Sequence, residues 1–193
     1  MTDSPKAEMP SMEAGPLVSI GLPVRNGGQH LRQAVASLLD QTYGPLELII
    51  SDNASTDDTE LICTELAGVD SRIRYFRQPT DIGMPANWNF VVHQARGTYF
   101  KWASSNDWCD PTLIERCLVA LRADPTAVLS YPRTLVVGSE GEVGPPSYRD
   151  FACLLPSPSE RFQLILHHLV MNNAQCGVIR MAALRQTRLD RSY

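Results

Sequence analysis

The sequence predicts an α/β protein: a mostly parallel central sheet with helices on both faces. Three observations carry this. Short runs rich in Val, Ile and Leu alternate along the chain with stretches of helical periodicity. The runs are continuously apolar, as strands buried on both faces must be. Several of them end in clusters of Gly, Pro, Asn, Asp or Ser, the residues that turn a chain sharply.

The elements follow in order. Val-Ser-Ile-Gly-Leu at residues 18–22, bounded by Pro16 and Pro23, predicts the first strand. Pro-Val-Arg-Asn-Gly-Gly at 23–28 is the loop after it, and Leu31, Ala34, Val35, Leu38 and Leu39 share one face of a first helix. Residues 46–51 make the second strand. Ser55 is expected to cap a helix reaching about Ala67, with Asp57 and Asp58 in its first turn. A short third strand is expected at 73–77, a helix at 85–95 and a fourth strand at 99–103. Asp110 is expected to cap a helix with Pro111 at its first position and an apolar stripe of Ile114, Cys117, Leu118 and Leu121. Residues 128–137 predict a fifth strand broken near Pro132, and 138–158 a loop. An amphipathic helix at 159–170 carries Phe162, Ile165, Leu166 and Leu169 on one face. A last strand at 177–179 leads to a short helix from Met181.

With 193 residues, 44% of them apolar, the chain can bury one sizeable core, so one domain is expected at 17–193 after a disordered tail at 1–16. That tail has no apolar stretch of the signal-peptide kind. A net charge of -4 and no Lys/Arg run argue against a nucleic-acid partner. No apolar run reaches the ~18 residues that span a bilayer. The five cysteines, Cys63, Cys109, Cys117, Cys153 and Cys176, are odd in number and have no metal-clip spacing. They suit a reduced, cytoplasmic chain, membrane-peripheral at most.

Ligands of open α/β sheets bind outside the carboxyl ends of the strands. That rule selects the loops at 23–28, 52–55, 78–85 and 104–110, which also hold most of the unusual polar residues. In Ser-Asp-Asn-Ala-Ser-Thr-Asp (51–57), a carboxylate directly after a buried strand suits a nucleobase N–H or a ribose hydroxyl. Equally, Asp52 and Asn53 could do no more than shape the turn. Ser-Ser-Asn-Asp (104–107), between a strand and a proline-started helix, suits a cation and a diphosphate, since Mg²⁺ and Mn²⁺ take oxygen ligands and phosphates together. It also suits an ordinary connection.

Taken together, Val-Ser-Ile-Gly-Leu-Pro-Val-Arg-Asn, Leu-Glu-Leu-Ile-Ile-Ser-Asp-Asn-Ala-Ser-Thr-Asp and Ala-Arg-Gly-Thr-Tyr-Phe-Lys-Trp-Ala resemble family 2 glycosyltransferases. The resemblance covers about 18–121 and continues more loosely through 177–179. It implies a Rossmann-like GT-A fold, with a nucleotide-binding half at 17–111 and the start of an acceptor-side half at 112–193. It implies transfer of a sugar, with inversion, from a nucleotide-diphosphate sugar donor to the hydroxyl of a glycan, lipid or protein acceptor. Pro23, Val24 and Asn26 would line the base pocket, and Asp52 or Asn53 would hold the base. Arg74, Asn87 and Ser105 would lie near the nucleotide and diphosphate. A divalent cation, Mg²⁺ or Mn²⁺, would sit at Asn106 and Asp107.

The chain departs from the family pattern at two places. Asn106 stands where the family has a metal carboxylate, and Asn53 replaces a frequent Asp. The carboxylate that would deprotonate the acceptor is not visible; Asp190 is the nearest acid, and the base is expected beyond Tyr193. Trp108 is expected to meet the sugar, and Trp102 the core. His167 and His168 point about 100° apart on a helix and are poor joint ligands. The Phe162 stripe is expected to face the core. Two rivals stand beside this reading: a non-catalytic nucleotide-sugar-binding domain, and a nucleotidyltransferase, which would need a Gly/Lys-rich loop after the first strand.

Overall fold

The structure is a computed structural model that describes residues 15–138, 143–144, 155–168 and 173–189. The expectations for the tail at 1–14, most of the 138–158 loop, Cys153, Leu169, Val170 and Asp190 fall outside the described residues. So do the side chains at 165–168, and with them most of the apolar stripe and the His167–His168 pair.

The elements run β1 (Val18–Val24), α1 (Gly28–Leu39), β2 (Leu46–Asp52), α2 (Thr59–Val69), β3 (Ile73–Arg77), α3 (Met84–Gln94), β4 (Tyr99–Trp102), α4 (Leu113–Ala123), β5 (Leu129–Ser130), α5 (Pro158–His168), β6 (Val178–Arg180) and α6 (Met181–Leu184). A 3₁₀ turn at Asn173–Cys176 precedes β6. Six strands form one sheet in the order β3-β2-β1-β4-β6-β5. β3, β2, β1 and β4 are parallel, while β6 is antiparallel to both β4 and β5.

Period-two alternation sorts the strand residues between two faces. Val18, Ile20 and Leu22 of β1, with Leu48 and Ile50 of β2, pack under α1, α2 and α4 against Leu31, Val35, Ile62, Ile114, Leu118 and Leu121. Ile49, Phe100 and Trp102 face the other way, onto Val91 and Val92 of α3 and Met181 and Leu184 of α6. Gly21 lets α3 come close: a Cβ there would lie 2.6 Å from Phe100 Cζ and 2.7 Å from Val91 Cγ2.

Three boundaries differ from the sequence expectation. The second helix begins at Thr59 with Asp58 as its cap, not at Ser55. The Ser55 hydroxyl is taken by the Asn26 N–H at 2.9 Å. The fourth helix begins at Leu113, and Asp110 accepts from the Thr112 N–H and hydroxyl at 2.8 and 2.6 Å in the turn before it. The fifth strand is only Leu129–Ser130, because Pro132 has no N–H to extend the pairing.

The first strand, by contrast, continues through Pro23 to Val24. The Val24 carbonyl accepts from Asn53 N–H and the Gly21 carbonyl from Ala103 N–H, each at 2.8 Å. Residues along β1 therefore address β2 and β4 alternately, and Pro23 faces the β4 side. There the ladder stops at Gly21, paired with Trp102, so the missing N–H costs no bond.

Candidate functional site

β1 and β4 are neighbours, yet the chain leaves β1 for β2 on one side and reaches β4 from β3 on the other. This is the point where the direction of winding reverses and the loops at the carboxyl ends diverge. Four loops meet at this edge: residues 25–27, 53–58, 78–83 and 103–112.

The first loop is fastened to the second. Asn26 holds φ at +52°, a conformation that Asn tolerates among L-residues. Three successive amides are spent on the neighbouring loop: Asn26 N–H on Ser55 Oγ at 2.9 Å, Gly27 N–H on Thr59 Oγ1 at 2.9 Å, and Gly28 N–H on Asp57 Oδ2 at 3.1 Å. In return, Asn26 Oδ1 accepts from Thr56 N–H at 2.9 Å. The Thr59 hydroxyl, with the Thr59 and Gly28 amides, holds the Asp57 carboxyl below its ordinary range. The same loop touches the fourth: a Cβ on Gly27 would lie 2.9 Å from Ser105 Oγ and 2.5 Å from Val24 Cγ2.

Asp52 closes β2 and is fully buried. Its Oδ1 accepts from Ser55 N–H at 2.8 Å, and its Oδ2 from Tyr75 hydroxyl at 3.0 Å and Arg77 at 2.7 Å. With no exposed surface, Asp52 braces the turn from below. Burial and the Asp52 carboxylate together push the Tyr75 hydroxyl well up. Pro23 and Val24 are likewise buried beneath the loops.

Asn53 stands above this brace. Its Nδ2 donates to Asp81 Oδ1 at 2.6 Å and its Oδ1 accepts from Ile82 N–H at 2.9 Å. Asp81 also accepts from Gly83 N–H at 2.9 Å and pairs with Arg25, so one carboxylate links the first three loops. The Gly83 amide, then Asn53 and Arg25, lower the Asp81 pKa. Asn87 is buried and anchors α3 to β2 through Ser51: its Oδ1 accepts from Ser51 Oγ at 2.6 Å and its Nδ2 donates to the Ser51 carbonyl at 3.0 Å. It is scaffold rather than surface.

Arg74 is a correction of place. It pairs with Glu47 at 2.9 Å and donates to the carbonyl of Gln94, the last residue of α3, at 2.8 Å. Its register partner is Ile49, three residues before Asp52, so it serves the opposite edge of the sheet. Arg77, opposite Asp52 in register, is the arginine at the site. The sequence signal for it was the register itself, since β3 must end where β2 ends.

On the fourth loop, Ser105 is half-buried and Asn106, Asp107 and Trp108 are exposed. Ser104 Oγ donates to Asn106 Oδ1, and Asp107 N–H to the Ser104 carbonyl at 3.5 Å. The turn offers one carboxylate and one amide oxygen. Among the described residues, no cluster of three His, Cys, Asp or Glu is placed to hold a metal. A cation held here would need a substrate's own phosphates to complete its shell, which is how Mg²⁺ is commonly bound. The described thiols are poorly placed for nucleophilic chemistry. Burial pushes Cys63 up to about 12 and raises Cys109, Cys117 and Cys176, which disfavours the thiolate at each.

Solved structures share this architecture. TarS from S. aureus in complex with UDP-GlcNAc is similar with a TM-score of 0.67 at 18% identity, over 87% of this chain and 46% of that one. A mannosyltransferase from Pyrobaculum calidifontis in complex with GDP-Man and Mn²⁺ gives 0.64 at 15% identity, over 90% and 47%. The fold is thus of the GT-A glycosyltransferase type. The model for glycosyl transferase family 2 matches residues 19–189, and the chain belongs to that family. Chondroitin synthase of Escherichia coli is 33% identical over 138 residues, 72% of this chain and 20% of the relative. Hyaluronan synthase of Pasteurella multocida is 32% identical over 128 residues, 66% of this chain and 13% of the relative. The chain therefore spans a fifth or less of the length of these relatives. No helix among the described residues is long and apolar enough to cross a membrane.

Proposed function

We propose that this chain forms the donor-binding part of an inverting glycosyltransferase, which moves a sugar from a nucleotide-diphosphate sugar to an acceptor hydroxyl. The observation that carries this reading is the meeting of four loops at the β1–β4 switch, with Asn53, Asp81 and Arg25 linked at the rim. UDP-GlcNAc and GDP-Man in the similar solved structures support a nucleotide sugar as the ligand.

Asn26 and Asp81 supply the exposed polar groups for the nucleoside, over a floor of Pro23 and Val24, and buried Asn53 holds Asp81 and the Ile82 amide in place. Asp52, Arg77 and Asn87 position them. Ser105 faces the diphosphate, and Trp108 offers an exposed ring to the sugar. Asn106 and Asp107 would hold Mg²⁺ or Mn²⁺, which supplies positive charge to the leaving diphosphate. Among the other acids at these loops, Asp57 is held by Gly28 and Thr59, Asp81 by Asn53 and Gly83, and Asp110 by Thr112. The general base that takes the acceptor proton is expected from the acceptor side.

The single carboxylate in the 104–107 turn favours a second reading, a domain that binds nucleotide sugar without turnover. A nucleotidyltransferase is disfavoured, because the Asp57 carboxylate already occupies the start of α1, where a phosphate loop would need free amides. Calorimetric titration with UDP tests the proposal. Asn53→Ala is expected to weaken binding about tenfold, the cost of unmaking its polar contacts. Unchanged affinity would move the nucleotide elsewhere. Release of UDP from a donor sugar by the wild-type chain would reject the non-catalytic reading.

A further inference from the structure

A second cleft, of about 480 Å³, lies between α3 and residues 185–189. Asn89, Val92 and His93 line it from α3, and Arg185, Thr187, Arg188 and Leu189 from the segment after α6. α3 starts at the donor loops, where Asn87 grips Ser51. His93 lies six residues further along, about 9 Å down the helix axis towards the opposite edge of the sheet. None of the described residues that line the cleft belongs to the four loops, so the two places are distinct.

Its chemistry is one-sided. Two arginines and a histidine line it, and none of the described residues lining it is acidic, in a chain whose net charge is -4. Both arginines are exposed, and among the described residues neither side chain has a hydrogen-bond or ion-pair partner. The segment that presents them is shaped by its own contacts. Thr187 Oγ1 donates to the Leu184 carbonyl at 2.7 Å and accepts from Leu189 N–H at 3.3 Å, and Leu189 takes a φ of +55°. A leucine in that conformation is strained, and such strain gathers at ligand sites. The volume suits a ligand of one or two sugar rings, within the usual range of small-molecule sites.

We propose that this cleft binds an anionic saccharide unit, with its oxyanion on Arg185 and Arg188 and its hydroxyls towards Asn89, His93 and Thr187. Planar guanidinium forks match carboxylate and phosphate oxygens, and the neutral polar groups opposite suit a sugar ring. The proposal is independent of the donor reading, because it concerns other residues and needs no nucleotide.

The test uses the full chain without nucleotide, titrated with glucuronate, glucose 6-phosphate, inorganic phosphate and glucose, and followed by NMR at the His93 ring and the Asn89 side-chain amide. A dissociation constant on the order of 1 mM is expected for glucuronate or glucose 6-phosphate, and which binds tighter tells a carboxylate from a phosphate site. Arg185→Ser with Arg188→Ser should weaken it at least about tenfold and leave UDP affinity unchanged. Either single arginine variant should fall between. Glucose binding as tightly as the charged sugars would overturn the role of the arginines. Inorganic phosphate binding as tightly as glucose 6-phosphate would overturn the saccharide. No shift with either charged sugar, or equal affinity in the double variant, would overturn the site.

Discussion

Ala54 holds φ at +52° in the turn between Asp52 and Ser55, with its N–H on the Asp52 carbonyl at 3.0 Å. An L-residue in the left-handed region costs about 1–2 kcal/mol. Ala54→Gly removes that cost. Against it stand about 0.4–1 kcal/mol for the extra freedom of glycine in the unfolded chain, and part of one half-buried methyl. The net expectation is a gain of about 0.5 kcal/mol. Ala120, exposed in the middle of α4, gives the contrast: Ala120→Gly should lose about 1 kcal/mol, as in any helix interior. The same chemical change therefore moves stability in opposite directions, by about 1.5 kcal/mol between the two variants. Urea unfolding reads this directly. With a slope of roughly 2.5 kcal/mol/M, the midpoints should differ by about 0.6 M. If Ala54→Gly lost as much as Ala120→Gly, the turn would not have a positive φ and the geometry of the second loop would be wrong.

Three further outcomes are expected. Glu47 is buried, and burial alone would raise its pKa, but Ser19, the Arg96 N–H and Arg74 outweigh this and lower it. A lowered folded value stabilises fully above the unfolded pKa of about 4.3, and this is lost as pH falls from there through the folded pKa, so Glu47→Gln should cost about 2 kcal/mol at pH 7 and less at pH 3. Chemical denaturation at both pH values decides, and a constant penalty would contradict the pairing. Gly21→Ala forces a methyl against Phe100 and Val91 and should destabilise by about 1–3 kcal/mol; a thermal melt within error of wild type would refute the close approach of α3. Asn106→Asp should make UDP binding more dependent on Mn²⁺, most at low ionic strength. Titrations with and without the metal check this, and no change would leave the cation to Asp107 alone.

The sheet was legible because burial on both faces writes itself as runs such as Leu-Glu-Leu-Ile-Ile-Ser. The four loops at the carboxyl ends of the strands followed from topology alone. Contacts between loops were harder to read. Ser55 looked like a helix cap because the rule is local, whereas its hydroxyl serves an amide 29 residues away. Arg74 was placed with the nucleotide because a sequence does not say which way a strand residue reaches; register does, and it selects Arg77. Asp52 kept two readings from sequence, and burial supports the structural one. Asp81 drew no individual attention, since an acid in a turn is unremarkable until Asn53 and Arg25 are found on it.

The amides of Asn26, Gly27 and Gly28 are bonded to side chains of residues 55, 59 and 57. They protect one another from solvent only while both loops stay closed, so local opening of either should release all three to exchange together, as a single cooperative unit. The same dependence governs any chimaera. A first loop transplanted without hydroxyls at 55 and 59 and an acid at 57 would leave three donors unpaired where α1 starts. In this domain the first two loops can be exchanged only as a pair.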